Sequence, residues 1–241
     1  MTDTALPTLR AVLIDLDGTL MDTAPDLAEA VNRMRADFGL HPLPVPRIAQ
    51  FVGKGADVLV HRAMADDLAG RIDAAEFERS RAAFTRHYRD VNGELAVVFD
   101  GVPQALGLLR ERGLRVACVT NKPREFTLPL LERAGLSGWF HTVVAGDEVA
   151  HRKPHPEIVL TACARLQATP SESILIGDSA NDAEAAHAAG CRAVLVDTGY
   201  NEGESVRLLA GRYSVGAILP TLFDAVRWVL ASSSAPAPQA V

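Results

Sequence analysis

Short runs of apolar residues that stop abruptly at polar ones organise this chain. Ala11-Val-Leu-Ile14 stops at Asp15, Val116-Ala-Cys-Val119 at Thr120-Asn121, and Ile174-Leu-Ile176 at Gly177-Asp178. Val143-Val144 before Ala145-Gly-Asp147, and Ala193 to Val196 before Asp197, are weaker runs of the same kind. Continuous β-branched stretches bounded by turn residues suit strands buried on both faces of a parallel sheet. Between them lie helical patterns over 103–112, 123–134, 157–166 and 182–189; Gly113, Gly135 and Gly190 stop the first, second and fourth. Glycine just past the last helical residue is a stop signal. Pro129 predicts a kink or two short pieces within the second helix. Strand and helix in alternation predict a doubly wound α/β core with a parallel, Rossmann-like sheet.

Residues 22–93 follow another rhythm. Thr23-Ala-Pro-Asp26 spells a capping box with proline in the first turn. Behind it Leu27, Val31, Met34 and Phe38 recur at helical spacing up to Gly39. The stretches 57–64 and 74–88 are again helical, and no strand-like run separates them. This all-helical segment interrupts an α/β chain just after its first strand, so it reads as an inserted lid. The expected organisation is core over 1–21, helical cap over 22–93, core over 94–231 and a flexible Pro/Ser tail over 232–241.

Composition narrows the function classes. Of 241 residues, 48% are hydrophobic and 22% charged, which suits a globular chain. Twenty-four Lys+Arg against thirty Asp+Glu leave a net charge of −6, so a sequence-independent nucleic-acid binder is disfavoured. No apolar run is long enough to span a bilayer, and with Asp3 and no long apolar stretch in residues 1–10 no signal peptide is expected. Cys118, Cys163 and Cys191 are odd in number and lack CxxC spacing, so buried thiols in a reducing cytoplasm are expected.

The chemistry gathers at the strand ends, where open parallel sheets bind their ligands. Asp15 and Asp17 are two residues apart, so extended backbone aims both carboxylates to one side, and Gly18 lets the chain turn away. Asp178 brings a third carboxylate. Two such charges about 4 Å apart repel by about 4 kcal/mol at an effective dielectric of about 20. A hard divalent cation relieves this, and an oxygen-only donor set favours Mg²⁺. Ser179-Ala-Asn-Asp182 spells a capping box, and Asp182 can also stand behind the metal as an outer acceptor. Gly53-Lys-Gly55 makes neither a dinucleotide fingerprint nor a P-loop.

Four ordered stretches, Asp15-Leu-Asp-Gly-Thr-Leu20, Val119-Thr-Asn-Lys-Pro123, Lys153-Pro-His-Pro156 and Gly177-Asp-Ser-Ala-Asn-Asp182, resemble the motifs of the haloacid dehalogenase superfamily of phosphatases. Phe51 to Leu59 and Gly199-Tyr-Asn-Glu-Gly-Glu204 further resemble its bacterial phosphoglycolate phosphatases, whereas Val97-Val-Phe-Asp-Gly101 departs from the pattern. The resemblance implies a Mg²⁺-dependent phosphomonoester hydrolase acting on a small phosphorylated metabolite, with 2-phosphoglycolate as the expected substrate. It implies Asp15 as nucleophile, Asp17 as acid and base, and Thr120, Asn121 and Lys153 as holders of the phosphoryl oxygens. Asp15, the Asp17 carbonyl and Asp178 would ligate the metal. The substrate carboxylate calls for a lid cation, expected at Lys54 between Gly53 and Gly55.

Rival readings remain at this level. Related phosphatases for sugar phosphates, N-acetylmuramate 6-phosphate, nucleotides or pyrophosphate share the core motifs. A dehalogenase would not need Asp17, and a phosphomutase usually reads Gly-Val where this chain has Gly18-Thr19. An aspartate-phosphorylated signalling module would use similar acids, but the helical insert and Asp17 argue against a group meant to retain its phosphate.

Overall fold

Alternate side chains of the first strand, β1 (Ala11–Ile14), enter different cores. Val12 and Ile14 join one apolar cluster, Ala11 and Leu13 another, as the two-residue period of a strand buried on both faces requires. The computed structural model describes residues 9–233. In chain order it has β1, β2 (Met21–Asp22), α1 (Ala24–Asp37), α2 (Val45–Ala49), α3 (Ala56–Ala65), α4 (Ala74–Val91), β3 (Val97–Val98), α5 (Val102–Glu111) and β4 (Arg115–Val119). There follow α6 (Arg124–Arg133), β5 (Thr142–Val144), α7 (Glu157–Arg165), β6 (Ser173–Gly177), α8 (Ala180–Ala189), β7 (Arg192–Val196), β8 (Val215–Leu219) and α9 (Leu222–Ser232).

Six strands form one sheet in the order β5-β4-β1-β6-β7-β8, and every pair is parallel. The chain runs outward from β1 through β4 and β5, then returns to the other side of β1 for β6. Strand order therefore switches around β1, and β4, β1 and β6 end side by side at the place where such sheets form a ligand crevice. The α/β expectation holds. Among the described residues no helix is long and apolar enough to cross a membrane. The three cysteines are buried and unpaired.

Helices α1 to α4 pack on one another around a third core that includes Met34, Ile48, Phe51, Val60, Phe84 and Tyr88. Several local expectations need correction. Met21–Asp22 and Val97–Val98 form a short antiparallel ribbon at the two ends of this helical stretch. Two-residue strands leave no periodicity to read. The short helix α2 and the last strand and helix, β8 and α9, also went unpredicted. Pro129 lies inside one continuous helix, α6, rather than dividing it. Its ring nitrogen forgoes the helical hydrogen bond to the Glu125 carbonyl.

The capping box at Thr23 does not form. Thr23 Oγ1 instead donates to Asp17 Oδ1 at 2.5 Å, and Asp26 turns to the far end of the helical stretch. Of the tail 232–241, Ser232 ends α9 and residues 234–241 lie outside the described residues.

Candidate active site

Each strand end delivers one part of the site. Asp15 follows β1, Thr120 follows β4 and Asp178 follows β6, and all three are buried. The carboxylates of Asp15, Asp178 and Asp182 offer oxygens within 4.8 Å of one another. Asp182 arrives from the first turn of α8, where the predicted capping box does form: the Ser179 N–H and hydroxyl donate to its Oδ2 at 3.2 and 2.6 Å. Its Oδ1 accepts from Lys153 at 2.6 Å. The helix cap and the ion pair with Lys153 thus use different oxygens of the Asp182 carboxylate.

Lys153 is buried to 2% side-chain exposure and also donates to Asp15 Oδ1 at 2.8 Å. Burial alone would lower its pKa, but the facing Asp15 and Asp182 outweigh that cost and raise it, so it is a fixed cation. Leu16 N–H donates to the same Oδ1 at 2.7 Å. The other oxygen of Asp15, Oδ2, has no hydrogen-bond partner among the described residues. Burial, opposed by Lys153 and reinforced by Asp182 and Asp178, holds the Asp15 carboxyl well above the usual carboxylate range.

Asp178 is gripped from both sides. Thr19 Oγ1 donates to Oδ1 at 2.9 Å and Tyr200 N–H to Oδ2 at 3.0 Å. Burial, and next the charge of Asp182, push its pKa up to about 7. Gly18, at φ +88°, could not carry a side chain here: its Cβ would lie 2.6 Å from Asp178 Oδ2. The turn anticipated after Asp17 therefore doubles as clearance for the third carboxylate.

Asp17 meets two donors at Oδ1, Thr23 Oγ1 at 2.5 Å and Lys122 Nζ at 3.0 Å. Lys122 also donates to the Tyr88 hydroxyl at 2.7 Å. Burial would lower the Lys122 pKa, but Asp17 and Tyr88 reverse the effect and raise it. Burial pushes Tyr88 up to about 12, so its phenol stays neutral.

Thr120 is placed with its hydroxyl oxygen accepting from Lys122 N–H at 3.1 Å, which leaves the hydroxyl proton available to an incoming oxygen. The Asn121 side chain is committed elsewhere. Its Nδ2 donates to the carbonyls of Gly53 and Lys153, both at 2.9 Å, and its Oδ1 accepts from Lys153 N–H at 2.9 Å. It therefore has no amide proton left for a phosphoryl oxygen, and it ties the loops of Gly53 and Lys153 together instead.

A small cavity of about 50 Å³ lies over these groups. Asp15, Asp17, Thr120, Asn121, Lys122 and Lys153 line its floor, while Leu27, Val52, Leu59, Phe84 and Tyr88 from the helical stretch form much of its roof. Gly53 and Gly55 line it too, but Lys54 does not. Lys54 faces the other way and pairs with Glu202 at 2.8 Å, a carboxylate it shares with Arg62. The expected lid cation is therefore misplaced: two residues on one tight turn need not point to the same side. Lys122, Thr19, Thr23 and Tyr200 were not anticipated as parts of the site. Lys122 adjoins Asn121 in a quoted motif, but nothing local told its direction. Tyr200 reaches the site from a loop some 180 residues beyond Thr19.

Known proteins resemble this chain over most of its length. A family model for haloacid dehalogenase-like hydrolases matches residues 9–190. A phosphoglycolate phosphatase of Nitrosospira multiformis is 43% identical over 225 residues, 93% of this chain and 97% of that protein. A plasmid-borne phosphoglycolate phosphatase of Cupriavidus necator is 49% identical over 201 residues, 83% of this chain and 85% of its own. A crystal structure described as a predicted phosphoglycolate phosphatase from Haemophilus somnus superposes with a TM-score of 0.83 at 28% identity, over 95% of this chain and 99% of that one.

Proposed function

The chain belongs to the haloacid dehalogenase-like hydrolases and is a phosphatase, and from that membership we propose that it hydrolyses 2-phosphoglycolate to glycolate and phosphate. The observation that carries the chemistry is the pair Asp15 and Lys153. One carboxylate oxygen is pinned by an ammonium and a backbone N–H, and the other is left without a partner among the described residues, on a side chain that lines the cavity floor.

Asp15 Oδ2 attacks phosphorus and the ester P–O bond breaks, giving an aspartyl-phosphate and splitting one difficult displacement into two. Asp17 donates a proton to the departing glycolate oxygen. It then takes a proton from water, whose oxygen attacks the phosphorus of the intermediate; phosphate leaves and Asp15 is restored. The Thr120 hydroxyl and the Lys153 ammonium neutralise charge on the equatorial oxygens as it builds. Lys122 and Thr23 orient Asp17, and Asn121 positions the loops on either side of Lys153.

Mg²⁺ fits the site by the chemistry of its donors. Three buried carboxylates with oxygens within 4.8 Å, against one lysine ammonium between two of them, leave an excess of negative charge that a hard cation with oxygen ligands would offset. Asp15, Asp178 and the Asp17 carbonyl would hold it, with Asp182 behind them. When bound it supplies electrostatic attraction for the phosphoryl group and charge neutralisation for the acids. The helical stretch 22–93 acts as the cap that closes the cavity and keeps bulk water from the intermediate.

A panel of phosphate monoesters assayed with and without Mg²⁺ tests this. The expected result is Mg²⁺-dependent release of phosphate with 2-phosphoglycolate at the highest kcat/KM. If 2-phosphoglycolate ranks more than tenfold below the sugar phosphates, the substrate assignment fails while the reaction class stands.

A further inference from the structure

The two buried lysines of the cavity are not equally committed. Each ammonium carries three N–H donors. Lys153 has three acceptors, the Val119 carbonyl at 3.1 Å, Asp15 Oδ1 at 2.8 Å and Asp182 Oδ1 at 2.6 Å. Lys122 has two, the Tyr88 hydroxyl at 2.7 Å and Asp17 Oδ1 at 3.0 Å. Its third donor has no acceptor among the described residues, although the side chain is only 4% exposed and the residue lines the cavity. A buried, charged donor without a partner is costly, so a site that keeps one is built to receive an acceptor.

Substrate geometry says which acceptor. In a phosphate ester of a 2-hydroxy carboxylate, one carbon separates the ester oxygen from the carboxylate carbon. The carboxylate oxygens therefore lie on the order of 3 Å from the ester oxygen. The group that protonates that ester oxygen must consequently have a carboxylate-binding cation close beside it. Lys122 stands 3.0 Å from Asp17 and meets this condition. Lys54, held by Glu202 outside the cavity lining, does not. Leu27, Leu59, Phe84 and Phe126 line the same cavity, and apolar walls strengthen the attraction between an ammonium and a carboxylate.

We infer that Lys122 is the specificity residue of this phosphatase: its free N–H receives the substrate carboxylate while Asp17 and Tyr88 hold the other two. The inference rests on the phosphoglycolate reading above and deepens it. Tyr88 comes from α4, so the helical stretch completes the carboxylate site without supplying its cation. One ammonium then bridges the proton donor and the part of the substrate that identifies it.

The test compares kcat/KM for 2-phosphoglycolate and for ethyl phosphate, in which a methyl group replaces the carboxylate. In Lys122→Met the ratio of the two should fall at least tenfold, chiefly through KM for 2-phosphoglycolate, and Lys122→Arg should restore part of it. Tyr88→Phe keeps the ring, removes one anchor of the ammonium and should lower the ratio by a smaller factor. It also carries the test if Lys122→Met does not fold. Equal losses on both substrates in these variants would mean that Lys122 serves only to orient Asp17, and the inference would be overturned. A wild-type ratio near one would instead bring down the phosphoglycolate reading itself.

Discussion

Asp26 accepts a 2.6 Å hydrogen bond from the backbone N–H of Gly93, across 67 positions of sequence. Its other oxygen accepts from Leu95 and Ala96 N–H at 2.6 and 3.1 Å. One fully buried carboxylate in the first turn of α1 thus gathers the segment in which the chain returns toward the core. Backbone donors there have no strand or helix partner, so the carboxylate takes the place of secondary structure.

Asp26→Ala would remove the acceptor of three partly buried backbone donors, which water can reach only in part. The expected loss is about 1–3 kcal/mol in urea unfolding. A loss below about 1 kcal/mol would mean that water replaces the carboxylate without cost.

Asp17→Asn keeps the side-chain shape but cannot exchange a proton. kcat should fall by about 10²–10⁴, the usual worth of general acid–base catalysis. KM should change far less, because the Thr23 hydroxyl can still donate to the amide oxygen. Steady-state kinetics with 2-phosphoglycolate decide it, and an unchanged kcat would remove Asp17 from the proton path.

Lys54→Ala breaks the ion pair with Glu202 but leaves Arg62 on that carboxylate at 2.6 Å. Lys54 is over a third exposed, so the pair contributes at most about 1 kcal/mol. kcat/KM for 2-phosphoglycolate should stay within about twofold of wild type. A tenfold loss would mean that this lysine reaches the substrate during turnover.

Chelated protein should lose stability as pH rises. Burial, and then Asp182, raise the folded-state pKa of Asp178 to about 7, and Asp15 is raised as well. The folded state therefore binds these protons more tightly than the unfolded chain, whose carboxyls titrate near 4. Their contribution is fully present below about pH 4 and is lost as pH climbs toward about 7. In EDTA the Tm should fall across that window, and added Mg²⁺ should raise it more at pH 8 than at pH 5. A Tm that is flat or rising across the window in EDTA would contradict the burial of these carboxylates.

Much of this was legible in one dimension. β1, β4 and β6 are buried on both faces, so their apolar runs are unbroken and their polar ends are conspicuous. Asp15, Thr120 and Asp178 could be named because chain direction in a parallel sheet brings such ends to one edge. The capping box at Ser179 was legible because it closes within one helical turn. The box at Thr23 had the same local signal and failed. Asp17 and the returning chain near Gly93 offered Thr23 and Asp26 partners that no neighbouring residue could match. Lys54 and Lys122 show the remaining boundary. Both stand in motif-like loops, and sequence assigned each a charge and a neighbourhood. Only the packing of α4 over the sheet edge turned Lys122 inward to Asp17 and Tyr88, while the tight turn sent Lys54 out to Glu202. Strand ends follow from periodicity, which is local; the direction of a loop side chain depends on which distant partner compensates its charge, and that is settled only in three dimensions.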